Sequence, residues 1–265
     1  MPHPFMTAWW SHVVMVSYAA PAAVLARYMP PGPGGATIEI DPWVDERAGR
    51  RRETGVVSLV AQQCSRVRVL GVKWPRLNRF DAVYLRFYVR ERGGAGRGVV
   101  YVREIVPRRL IAAGARAVYN QPCVCAGVSS EVKQQTTLIG AEYTLRWGSP
   151  GQAPREHVVR VVGGKPAARA SAGSLEAWVT DRPLVFGADK RGQGIVYEVI
   201  HAPPGVYPTA EAQVRVDFAE VFGADWGFLS QTEPLGAMLA AGGAGSEAAV
   251  FPKRRSLVVR WGVKR

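Results

Sequence analysis

Val83-Tyr84-Leu85-Arg86-Phe87-Tyr88-Val89-Arg90-Glu91-Arg92 is followed by the small-residue stretch Gly93-Gly94-Ala95-Gly96. A second run, Gly98-Val99-Val100-Tyr101-Val102-Arg103-Glu104-Ile105-Val106, comes next. Both runs are rich in β-branched and aromatic residues and have a period of two, and the four small residues between them suit a tight reversal. This is a β-hairpin. Outward from it, runs of the same kind lie at 12–18 and 54–69. Others follow near 123–135, 138–148, 156–163, 194–201, 210–216 and 256–262. Many strands at short spacing favour an antiparallel barrel or sandwich over a parallel βαβ sheet.

Helices are few and short. Pro21 to Tyr28 places proline in a first turn and stops before Pro30-Pro31. Pro107 to Tyr119 carries Leu110, Ile111, Gly114, Ala115 and Val118 on one stripe. Ser174 reads as the N-cap of a helix over Leu175 to Asp181, closed by Pro183. Asp217 to Phe222 reads as another, ended by Gly223. The Gly- and Pro-rich pieces at 30–35, 148–154, 163–173 and 241–246 are surface loops. Strands continue on both sides of 163–173, so the expectation is one domain over residues 1–265.

The composition, 48% hydrophobic and 21% charged, is that of a chain able to bury a core. No stretch approaches a membrane span, and no membrane partner is expected. The apolar start, Trp9-Trp10 and then Val13 to Val16, lacks a basic flank and a cleavage site, and reads as a buried strand of a cytoplasmic protein. Cys64, Cys123 and Cys125 with four scattered histidines give no metal-ligand spacing, so no metal and no cofactor are expected. The formal charge of +13 would attract phosphate backbones, with local clusters at Arg47 to Arg52, Arg108-Arg109 and Lys253 to Arg255. No zinc-finger spacing, basic zipper or aromatic RNA-binding pattern gives that attraction a docking geometry, so nucleic acid is the lesser alternative.

Several segments, taken in order, resemble the YqjF-like family of uncharacterised bacterial proteins. They are Val24-Leu25-Ala26-Arg27-Tyr28-Met29-Pro30-Pro31-Gly32, Leu85 to Arg90, Gly98 to Arg109, Gly173-Ser174-Leu175-Glu176-Ala177-Trp178 and His201-Ala202-Pro203-Pro204. That family is similar to acetoacetate decarboxylase. The resemblance implies an α+β, mostly β fold: an antiparallel β-barrel with a few short helices packed outside and a ligand cavity within. In acetoacetate decarboxylase a lysine of an Arg-Glu-…-Pro-Lys-Lys run forms a Schiff base. Here the run is Arg103-Glu104-Ile105-Val106-Pro107-Arg108-Arg109, with arginine at both lysine places. A guanidinium stays protonated and is a poor nucleophile, so Schiff-base decarboxylation is not expected from these positions. Relatives also carry Phe-x-Glu-Val-Asn-Leu-Arg where this chain has Phe80-Asp81-Ala82-Val83-Tyr84-Leu85-Arg86. The pocket carboxylate and amide places thus become Ala82 and Tyr84, and Asp81 faces the opposite way.

Period-two geometry puts Arg86 on one face with Ala82 and Tyr84, and Leu85, Phe87 and Val89 on the other. A buried arginine needs a partner, and Glu104 on the next strand is the expected one. Such a pair either lines the pocket and offers the guanidinium to a carboxylate or simply fixes register. Arg108 and Arg109 open a helix where the macrodipole disfavours cations. An anionic ligand, a carboxylate or solvent would each compensate. His201 reads as scaffold, and Tyr119, Tyr143 and Trp147 as core. The expected function is binding of a small organic anion by Arg86, Glu104, Tyr84 and Arg108. Glu104 is the candidate acid or base should the chain act as a non-covalent lyase or hydrolase-like enzyme. A homo-oligomer is left open.

Overall fold

The computed structural model describes residues 3–45, 52–148, 153–241 and 247–251. The expected strand at 256–262 and the basic clusters at 47–51 and 253–255 lie outside them. In chain order the strands begin β1 (Met6–Ala19), β2 (Ile38–Ile40), β3 (Trp43–Asp45), β4 (Arg52–Thr54), β5 (Val56–Val69) and β6 (Phe80–Glu91). They continue β7 (Arg97–Val106), β8 (Cys123–Cys125), β9 (Gly127–Gln134), β10 (Leu138–Trp147), β11 (Arg155–Gly164) and β12 (Ala168–Arg169). The last are β13 (Leu184–Ala188), β14 (Gly194–Ile200), β15 (Gly205–Tyr207), β16 (Thr209–Arg215), β17 (Gly236–Ala240) and β18 (Glu247–Val250). The helices are α1 (Ala22–Ala26), α2 (Arg109–Tyr119), α3 (Leu175–Thr180) and α4 (Phe218–Phe222).

Strands β1, β5, β6, β7, β13, β14 and β18 pair in a ring that returns to β1, which closes a seven-stranded barrel. The hairpin read from sequence forms its β6–β7 seam. Every seam of the ring is antiparallel except β7–β13, which runs parallel with Leu184 opposite Gly98. Outside the ring, β2 adds to β6, β8 to β7, and β17, β15 and β12 extend from β1. A separate antiparallel sheet, in the order β16-β11-β10-β9, packs over the barrel wall.

Alternation along the barrel strands feeds two cores. Leu85, Phe87 and Val89 of β6 and Leu59 and Ala61 of β5 point outward to meet Ile139, Tyr143 and Val161 of the second sheet, with Phe218 of α4 and the fully buried Trp226. Val60, Tyr84, Tyr88, Val99, Val185 and Tyr197 point inward. Both faces of β6 are therefore buried, as the sequence implied. Helix α3 closes one end of the barrel, with Leu175 and Val179 entering the inner core. Ser174 caps it, its hydroxyl accepting from the Ala177 amide, and Asp217 caps α4 by accepting from the Glu220 amide. Ser174 is the cap that the sequence indicates, and Asp217, read as the first helical residue, is the cap before it.

Candidate functional site

Strand β7 does not keep its alternation. Opposite β6 the register runs Tyr84 to Glu104, Leu85 to Arg103, and then Arg86 to Tyr101, a β-bulge that takes up Val102. Val102 joins the outer core, while Arg103 donates to the Val221 carbonyl and lies over Trp147. Both therefore face out, and Tyr101 and Glu104 both face in. A bulge that re-aims a side chain is a common device beside binding sites.

The inward residues line a cavity of about 440 Å³. Tyr84, Tyr101, Glu104, Gln62, Tyr197 and Gln121 supply its polar groups. Val67, Val69, Trp74 and Leu77 on one side and Leu110, Ile111, Gly114 and Ala115 of α2 on the other form an apolar mouth. Within it Tyr84 donates to Gln62 Oε1 (3.2 Å), Tyr84 and Tyr101 meet edge to face at 5.2 Å, and Gln121 donates to the Tyr197 hydroxyl. Burial raises the Glu104 carboxyl to about 7, against the opposing influence of the Cys123 thiol. Burial also pushes the Cys64 thiol up to about 12, so it is held as a neutral thiol at physiological pH.

Arg86 lies next door. It lines a recess of about 50 Å³ with Met15, Thr180 and His201, and that recess shares Trp10, Gln62 and Tyr84 with the cavity as common walls. One guanidinium nitrogen donates to the Val179 carbonyl (3.0 Å), while Nε is buried without a hydrogen-bond partner. Burial opposes its charge, and around it stand the neutral phenols of Tyr84 and Tyr88, whose ring centres lie 5.9 and 5.7 Å from the guanidinium carbon. No carboxylate of the described residues lies within ion-pair distance of Arg86. The buried Arg182 makes the contrast, with Asp41 at 3.2 Å and Trp178 beneath it at 4.1 Å.

These placements correct two expectations. Arg86 and Glu104 are not an ion pair: the bulge sets Glu104 opposite Tyr84 and leaves Tyr101 opposite Arg86. Arg108 is exposed, forms the N-cap of α2 and does not line the cavity. Tyr119 is buried in the inner core, as read, and its outer edge also lines the cavity. Asp81 does face away, accepting from the Ser130 hydroxyl on the second sheet (2.8 Å). Tyr84 and Glu104 stand together as expected. His201 packs beside Trp10 and lines the recess, its pKa lowered by burial. Among the described residues, none of those lining the cavity is a lysine. Among the described residues no three histidine, cysteine or acidic side chains cluster as a metal site would need, and no helix is long and apolar enough to cross a membrane. Tyr101 was not singled out from sequence, because strict alternation would face it away from Glu104; only the bulge joins them.

Comparison of the fold finds similar architecture in solved structures at low sequence identity. Acetoacetate decarboxylase from Legionella pneumophila aligns with a TM-score of 0.55 at 11% identity, over 95% of this chain and 86% of that one. The enduracididine biosynthesis enzyme MppR, in complex with pyruvate, gives 0.57 at 12%, over 97% and 91%. An acetoacetate decarboxylase-like enzyme from Sphingomonas wittichii gives 0.56 at 12%, over 95% and 94%. At such identities the likeness concerns the fold. No curated protein matches the sequence. The profile of DUF2071, described as an uncharacterized conserved protein, matches residues 7–242, and the chain belongs to that family.

Proposed function

We propose that the barrel binds a small organic acid without covalent chemistry, its carboxylate taken by Arg86 and its apolar body lodged in the cavity. The observation that carries this reading is the unpaired Arg86 itself. A lone charge inside a barrel costs several kcal/mol, and a ligand carboxylate would offset that cost while filling the orphaned Nε. The recess and the cavity adjoin at Trp10, Gln62 and Tyr84, and a shift of these side chains would open one to the other. A volume of about 440 Å³ with a few convergent polar groups falls in the range of small-molecule sites. That MppR, of similar fold, is described in complex with pyruvate agrees with a carboxylic acid as the ligand class. Arginine at both positions of the Pro107-Arg108-Arg109 run where acetoacetate decarboxylase has lysine agrees with non-covalent binding.

Calorimetric titration with pyruvate and longer 2-oxo acids, each beside its amide, tests this. The acids are expected to bind and the amides to fail, and Arg86→Met is expected to weaken acid binding at least about thirtyfold, since removing one partner of a buried charge pair costs ~2 kcal/mol or more. Equal binding of acid and amide, or an unaffected Arg86→Met, would remove the reading. Borohydride added with a β-keto acid is expected to leave the protein mass unchanged; a trapped adduct would restore a Schiff-base mechanism.

A second reading is favoured by Glu104, whose proton is poised near neutrality inside the same cavity. There it would act as a general acid or base on a bound carbonyl compound. Turnover of such a compound, if found, is expected to fall by about a hundredfold in Glu104→Gln; undiminished turnover rejects the role.

A further inference from the structure

The mouth of the cavity is built from two segments with an unusual composition. Residues 66–79 hold Arg66, Arg68, Lys73, Arg76 and Arg79, and α2 with its cap holds Arg108, Arg109 and Arg116. Neither segment contains an aspartate or glutamate. All eight cations are exposed, and none makes an ion pair among the described residues; Arg66 lies over the Trp9 ring at 4.0 Å, and Arg79 acts on the Asp81 carboxyl. Set among them are four large apolar side chains facing water: Leu70 (71% exposed), Val72 (54%), Trp74 (53%) and Leu110 (71%). Trp74 and Leu110 are also cavity-lining residues, so the apolar rim leads into the apolar interior.

The rim is held rather than loose. Val69 and Val72 bridge across a turn, and the Leu70 amide donates to the Phe5 carbonyl (2.8 Å). Arg66, Leu70 and Arg76 all have left-handed backbone angles (φ 51°, 51° and 62°), a conformation that bulky side chains seldom adopt. Here it turns Leu70 outward, where it is exposed.

We infer that this rim docks on an anionic lipid bilayer, with the cavity mouth opening onto the membrane surface. A collar of cations around protruding tryptophan and leucine is the composition of interfacial binding. The charges are drawn to acidic headgroups, and the apolar tips enter the boundary with the acyl chains. The alternatives fit less well. A second copy would oppose the collar with an identical collar, like charge against like. A duplex offers its phosphates to the cations and nothing to Leu70, Val72, Trp74 and Leu110. The docking spans nothing, so it agrees with the lack of a membrane-crossing helix among the described residues. The sequence alone gave no membrane partner, because the rim unites residues from two distant segments. The inference does not depend on what the cavity holds.

Flotation of the full chain with vesicles tests it. The protein is expected to float with phosphatidylcholine vesicles that contain phosphatidylglycerol, to stay behind with phosphatidylcholine alone, and to be released by salt. Lys73→Gln and Arg76→Gln are each expected to weaken binding about fivefold. Trp74→Ser combined with Leu110→Ser should weaken it at least about tenfold with the melting transition retained. Failure to float with anionic vesicles would overturn the inference. So would undiminished flotation of the Trp74→Ser, Leu110→Ser variant, which would leave only a diffuse polycation. A dimer in light scattering that this variant splits would assign the rim to a second copy. A duplex oligonucleotide bound as tightly by the variant as by the native chain would assign the collar to nucleic acid.

Discussion

Glu104→Gln is expected to stabilise the protein at pH 8 by on the order of 3 kcal/mol and to leave it nearly unchanged at pH 4.5. The carboxyl sits at about 7 in the folded chain, above its ordinary 4.5. Between those values the folded state keeps a proton that the unfolded state has released, so the group's contribution to stability falls as pH rises through this window. Above about 7 the folded protein holds a carboxylate in the cavity at full cost. Below 4.5 both states are protonated, and glutamine then mimics the neutral acid. Urea midpoints across pH 4.5 to 8 for both proteins give the result as a difference. His157 and His201, whose pKa values are lowered by burial, lower stability as pH falls through the histidine range. They do so in both proteins and cancel. Parallel curves with a constant offset would mean that Glu104 titrates as an ordinary surface acid.

The second large effect lies at the parallel seam. A Cβ on Gly98 would stand 2.3 Å from the Leu184 carbonyl oxygen and 2.8 Å from its carbonyl carbon. Both sides of that clash are backbone, one in β7 and one in β13, so no side chain can swing away to relieve it. Gly98→Ala is expected to destabilise the fold by about 3 kcal/mol, at the upper end of overpacking costs, because the only remedy is to part the two strands. Gly114→Ala is the matched control. A Cβ there meets nothing within 4 Å, and the exposed interior of α2 gains helix propensity, so a gain of about 0.5–1 kcal/mol is expected. Thermal or urea unfolding of both reads the contrast, and a Gly98→Ala protein within about 0.5 kcal/mol of the native chain would contradict the seam as described.

What the sequence could and could not convey divides along the range of the interactions. The β6–β7 hairpin, α2, the Ser174 cap and the short helix that follows Asp217 are local, and each lies where turn chemistry and periodicity predict. The parallel seam joins Gly98 to Leu184 across the second sheet, and no local pattern announces it. The site splits in the same way. Tyr84 and Glu104 share the cavity as alternation and resemblance implied. The expected Arg86–Glu104 pair fails because Tyr101 stands opposite Arg86 and Glu104 opposite Tyr84, on the two sides of the bulge at Val102. Val99-Val100-Tyr101-Val102 gives no hint of where the irregularity falls, since valine suits either face. The mouth escaped for a different reason: the strand read over 54–69 ends inside the segment 66–79, and only the fold brings that segment beside Leu110.

The parallel β7–β13 seam also bears on how the chain must assemble. Its two edges are separated by roughly eighty-five positions, a stretch that contains α2, the hairpins of the covering sheet and α3. Until that stretch has folded, β7 has a bare margin and the nascent sheet is an open trough with its tyrosines wet. Acquisition of the native state is therefore expected to be gated by a late, long-distance zippering step, with the exposed margin as the point where neighbouring unfinished molecules would stick.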